Sequence, residues 1–74
     1  MLIKEALQTI MENEGYTATQ MAEKLAITPG MISHYINHNH YPRLAIATKI
    51  YIDFNIQVEP YTILALSTEM EKLL

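Results

Sequence analysis

The chain has no cysteine, only two glycines and three prolines, and a single arginine and a single aspartate. Without cysteine no disulfide staples the fold, and no thiolate serves as nucleophile or metal ligand. That composition suits a reducing compartment, so a cytoplasmic location is expected. Two glycines are too few for a phosphate-cradling loop or a dinucleotide fingerprint. With one aspartate, Asp53, and with Ser33 and His34 adjacent, so that their side chains diverge around a helix, no nucleophile–base pair is in view. Neither an enzyme, a cofactor nor a small-molecule substrate is expected. Long apolar runs are also missing. Lys4, Glu5, Glu12 and Glu14 interrupt the N-terminal stretch, which is expected to be neither a signal peptide nor a membrane span.

Half of the 74 residues are hydrophobic, which with so little proline argues against disorder. A chain of this length supports one small core and is read as a single domain, 1–74, burying roughly 60% of its unfolded surface. The net charge is −3, and it is segregated. Residues 28–50 carry Arg43 and Lys49, all three histidines and no acid, whereas the segments on either side are acidic. An acidic total speaks against a nucleic-acid partner, because phosphate contacts dominate that affinity; the acid-free block speaks for one.

Apolar residues recur at helical spacing throughout, and no sheet is expected. Ile3, Ala6, Leu7, Ile10 and Met11 mark a first amphipathic helix that Gly15 can end in the left-handed conformation. Thr17 and Gln20 form a capping box for a second, with Met21, Ala22 and Leu25 inward. After a tight turn, Thr28 caps a third helix that has Pro29 in its first position. Ile32, Tyr35 and Ile36 face inward there, while Gly30, Ser33, His34 and Asn37 share the opposite face at i, i+3, i+4 and i+7. The run "NHNHYP" reads as a polar loop in which Asn37, Asn39 and His40 are loop formers. Leu44, Ala47, Ile50, Tyr51 and Phe54 mark a fourth helix. Pro60 is placed to open a fifth through Leu66, and Thr68 with Glu71 offers a second capping box if the tail does not simply continue it.

Two short helices joined by a three-residue turn, residues 17–37, form a helix-turn-helix pattern. Thr17, Met21–Ala22, Ile27, Thr28, Ile32–Ser33 and Tyr35, followed by Pro42, Leu44, Ala47, Ile50, Ile56 and Val58, resemble the Cro/cI-type repressors over roughly residues 3–66. The resemblance implies an all-α, five-helix, lambda-repressor-like domain. It also implies a transcriptional regulator that binds a palindromic operator in double-stranded DNA as a homodimer. Three positions depart from the family pattern: His38 stands where a glycine commonly closes the recognition helix, Pro29 and Gly30 where glutamine or a base is frequent, and Ala18 where a phosphate-gripping glutamine often stands.

On this reading Thr17, Thr19, Gln20, Thr28, Pro29, Gly30, Ser33, His34, Asn37, His38 and Arg43 meet DNA. Gly30 lets the backbone approach, the Pro29 ring suits a thymine methyl, and the polar side chains suit base edges or phosphates. Pro29 has a plainer explanation as a helix start and Asn37 as a loop former, and Lys24 and Lys49, outside this set, are expected to be solvated surface. The C-terminal segment 60–74 is the expected dimer interface, through Ile63, Leu64, Leu66, Met70, Leu73 and Leu74. His34, His38 and His40 invite a metal, but no cysteine or nearby carboxylate completes a ligand set, and no metal is expected. The rival function is a protein-interaction module on the same fold, antitoxin-like or an acidic adaptor, with weak or no DNA binding.

Overall fold

A computed structural model describes residues 1–38 and 40–73. Among them the chain forms five helices and no strand: α1 (Ile3–Glu14), α2 (Ala18–Leu25), α3 (Pro29–Asn37), α4 (Leu44–Phe54) and α5 (Ile63–Leu73). The protein is therefore all-α, as its periodicity predicts. Asn39 and Leu74, expected in a loop and an interface, lie outside the described residues.

The helix boundaries follow from local chemistry. At the start of α1 the Glu5 carboxylate accepts from the Leu2 N–H at 3.2 Å, the half of a capping box that a leucine cannot reciprocate. Gly15 ends that helix at φ 69°, and the Tyr16 and Gly15 N–H groups both reach the Met11 carbonyl. The capping box of α2 is complete: Gln20 N–H donates to Thr17 Oγ1 at 3.2 Å, and Thr17 N–H to Gln20 Oε1 at 2.9 Å. Its other end closes as a Schellman motif, with Ile27 N–H to Ala22 and Ala26 N–H to Glu23. The left-handed residue there is Ala26 at φ 56°, not a glycine. Thr28 Oγ1 then accepts from Met31 N–H and opens α3, with Pro29 at its first position.

The core draws on every helix. Ile3, Ala6, Leu7 and Ile10 of α1 join Met21, Ala22 and Leu25 of α2 and Ile32 and Tyr35 of α3, with Ile46, Ala47 and Ile50 of α4, Val58, and Leu66 of α5. α3 packs against α1 and α2, and α4 against α2 and α5. Thr48 is fully buried, and its hydroxyl donates back to the Leu44 carbonyl at 2.7 Å, which satisfies it within its own helix. Two links hold the last third in place: Tyr61 OH donates to the Pro42 carbonyl at 2.7 Å, and Glu59 N–H to the Met1 carbonyl at 2.9 Å.

The C-terminal segment departs from expectation in two ways, at Pro60 and at the dimer residues. Pro60 does not open α5; it sits in a turn closed by Tyr61 N–H to the Val58 carbonyl, and Thr62 Oγ1 caps the helix by accepting from Ala65 N–H. Of the two alternatives for the tail, the helix continues: Thr68 is interior to α5, with its hydroxyl bonded to the Leu64 carbonyl. The expected dimer residues do not make one face. Leu66 is fully buried in the chain's own core and is unavailable to a partner. Leu64, 77% exposed, lies about 160° around the helix from Leu66 and about 180° from Leu73, at about 100° per residue. Ile63, Met70 and Leu73 do flank Leu66 on one stripe, with Met70 half-buried and the other two exposed.

Candidate nucleic-acid interface

A three-residue turn, held by the Ala26 conformation and the Thr28 cap, carries the chain from α2 into α3. Ile32 and Tyr35 are buried beneath α3 and Ile36 is half-buried, which fixes its rotation about its own axis. Pro29, Gly30, Ser33, His34 and Asn37 are consequently all exposed. Thr17, Thr19 and Gln20 at the start of α2 are exposed as well, as are Thr28, His38 and Arg43. All eleven residues expected to meet DNA therefore stand at the surface.

Several of these already have structural work. Capping occupies Thr17 Oγ1 and Gln20 Oε1 as acceptors, which leaves the threonine O–H and the glutamine Nε2 donors uncommitted among the described residues. Thr28 is in the same position. In the first turn of α3, Pro29 has no N–H, and the Met31 and Ile32 N–H groups both reach Thr28. Gly30 therefore holds the one first-turn N–H of α3 without a partner among the described residues, at the positive end of the helix dipole. A Cβ built on Gly30 would meet only Thr28 Oγ1, at 3.7 Å. The free protein thus has room for a side chain there, and its lack of one leaves the backbone open to approach.

The departure at His38 has a simple explanation. The chain leaves α3 with His38 at φ −129° and ψ 139°, extended backbone that any residue adopts, so no glycine is required. His38 and His40 are drawn towards His34, whose ring centre lies 4.8 Å from that of His38 and 4.7 Å from that of His40. The approach of His40, from beyond the helix, is not visible in the sequence spacing. Among the described residues, no group of three or more His, Cys, Asp or Glu side chains could hold a metal ion.

The cations divide. Arg43 is exposed at the N-cap of α4. Lys24 is exposed at the end of α2, with Nζ 5.8 Å from the Tyr16 ring centre. Lys49 is not solvated as expected: half-buried, it donates from Nζ to the Leu25 carbonyl at 3.2 Å, closing the end of α2. Tyr41 is not among the residues expected at the interface. Exposed and two residues from Arg43, it lines with Leu2, Ile3, Lys4, Tyr35 and His40 a groove of about 240 Å³, smaller than the pockets that enclose drug-sized ligands. A loop aromatic gives no periodic signal that would have singled it out.

No family model, curated protein or solved structure matches the chain. No helix among the described residues is long and apolar enough to cross a membrane.

Proposed function

We propose that the chain is a sequence-specific DNA-binding transcriptional regulator of the Cro/cI kind, with α2 and α3 as its helix-turn-helix and α3 as the reading helix. The observation that carries this is the exposed stripe of α3. Gly30, Ser33, His34 and Asn37 form a continuous neutral, hydrogen-bonding face with no acid on the helix. A protein that reads base edges needs short polar side chains on a rigid element and a backbone that can come close, and the major groove supplies the matching donors and acceptors. Arg43 and the Gly30 N–H are the anchors for phosphate, with Lys24 as a further cation. A single short helix spans few base pairs, so a two-fold copy on a palindromic site is part of the proposal.

A second reading is favoured by the cations. With Lys49 engaged inside the fold and a net charge of −3, few positive groups remain for phosphate. The same face would then serve a protein partner, as in an antitoxin-like or adaptor module. A gel shift with random genomic fragments at low salt separates the two. Retention of a subset of fragments, lost on changing Asn37 and Ser33 to alanine, supports the reader. No shift at any protein concentration overturns it in favour of the protein-interaction module.

A further inference from the structure

The groove between the start of α1 and the loop after α3 has buried Ile3 and Tyr35 as its floor and exposed Leu2, Lys4, His40 and Tyr41 as its rim. The floor belongs to the core. The His40 ring rests on that of His34, outside the groove, with centres 4.7 Å apart and planes 21° from parallel, so these walls stand before anything binds. Apolar surface with a few polar groups is the usual lining of a ligand site. Here the polar groups are an ammonium, an imidazole and two phenols, and no carboxylate lines the groove. Lys4 belongs to no salt bridge among the described residues; Glu5, its neighbour in the chain, turns its carboxylate to the Leu2 N–H instead. Among the same residues, Tyr61 is the tyrosine whose hydroxyl is hydrogen-bonded, which leaves those of Tyr35 and Tyr41 uncommitted.

We propose that this groove binds a small carboxylic acid with an aromatic body, its carboxylate on the Lys4 ammonium and its ring between Tyr41 and the Leu2–Ile3 side chains. Size sets the first limit. A cavity of about 150 Å³ holds benzene, so a groove of about 240 Å³ has room for a ring with a short acidic arm. It is too small for a nucleotide or a length of peptide. Charge sets the second limit: a lysine without an acid partner, in a lining free of acids, selects an anion and opposes a cation. Donor geometry sets the third. A single ammonium is a point charge and lacks the planar fork of an arginine, which suits one carboxylate better than a phosphate. The apolar floor then separates the ligand from a bare ion, since Ile3 and the tyrosine rings have nothing to offer one.

The site belongs to the free chain and does not depend on DNA binding. Its test is an NMR titration of the 15N-labelled full chain with phenylacetate in the absence of DNA. Two controls divide the probe: 2-phenylethanol keeps the ring without the charge, and acetate keeps the charge without the ring. Saturable shifts are expected at the amides of Leu2, Ile3, Lys4 and Tyr41, with a Kd of about 1 mM, as suits so small a ligand in an open groove. Each control should bind at least about tenfold more weakly. Lys4→Met, which keeps the apolar stem, should weaken phenylacetate about tenfold by removing a charge-assisted bond, and Tyr41→Ala should weaken it several-fold. Both side chains are exposed, so the two variants should melt as wild type does. Absence of saturable shifts up to about 20 mM phenylacetate overturns the proposal. Equal binding of 2-phenylethanol does so too, by making the groove merely apolar, and equal binding of acetate by reducing it to an adventitious ion site. Binding that either variant leaves unchanged puts the ligand elsewhere and also overturns it.

Discussion

Two small residues at the ends of helices carry opposite lessons about backbone. Ala26 holds the left-handed conformation at φ 56° that closes α2, a conformation costing an L-residue roughly 1–2 kcal/mol. Gly15 closes α1 at φ 69° without that cost. Ala26→Gly is therefore expected to stabilise the protein by about 0.5–1 kcal/mol, after the greater unfolded-state entropy of glycine is subtracted. For a domain of this size that is a rise in Tm of about 2–8 °C, and a fall would show that the Ala26 methyl has a packing role its exposure does not suggest. Gly30 is the reverse case. It is helical, and a Cβ there meets nothing closer than 3.7 Å, so Gly30→Ala should raise stability by a few tenths to about 1 kcal/mol. If α3 enters a groove backbone-first, the same methyl should weaken operator binding about tenfold or more, equivalent to about 1.4 kcal/mol. Melting and gel-shift measurements on one variant thus move in opposite directions; binding that holds or improves would place Gly30 away from the DNA.

At the level of the helices, what could be read in advance is what local chemistry decides. The boundaries of α1, α2 and α3 rest on Gly15, on the Thr17–Gln20 capping box and on Thr28–Pro29, all of which act within four residues. The outward stripe of α3 followed from its apolar opposite face. α5 was misread because its start depends on distant partners: Tyr61 is anchored to Pro42, and that contact places Thr62, not Pro60, at the cap. Lys49 is engaged rather than solvated for the same reason, since the Leu25 carbonyl lies elsewhere in the chain. The rotation of α5 then decides how a dimer can be tested. Leu66→Ala should cost 2–5 kcal/mol, as for other fully buried leucines, a large part of the 5–15 kcal/mol that domains have. Leu64→Ser should fall within about 0.5 kcal/mol, as exposed positions usually do. The informative variant is Ile63→Ser with Leu73→Ser, which removes the exposed apolar residues flanking Leu66 on its stripe and leaves Leu66 in place. It should stay folded and sediment as a monomer with weakened operator binding. A wild-type protein that sediments as a monomer even when saturated with DNA would overturn the two-fold assembly.

Across the whole molecule the charge has a direction, and DNA affinity should report it through salt. Acids are confined to residues 1–27 and 51–74, and residues 28–50 have none, so the field of the chain favours approach with the α3 side leading. The number of cations available on that approach is small. Lys49 is half-buried and bonded to the Leu25 carbonyl, so Arg43 and Lys24 are the exposed cations of α2 to α4 in each copy. If both reach phosphate, a dimer neutralises four. At about −0.9 per phosphate, the slope of log affinity against log salt is then roughly −3.6, and it is about −2 if Arg43 acts alone. Arg43→Ala should flatten the slope by about two units per dimer and leave stability unchanged, because the arginine is exposed and its side chain makes no capping bond. Lys49→Gln should do the opposite, keeping the slope and lowering stability by roughly 0.5–1.5 kcal/mol as the Leu25 carbonyl loses its partner. Titrations of operator binding from 50 to 300 mM salt on the three proteins, with a melt of each, separate these terms. A slope steeper than about −6, or one that Arg43→Ala does not change, would mean that a different face of the molecule meets the DNA.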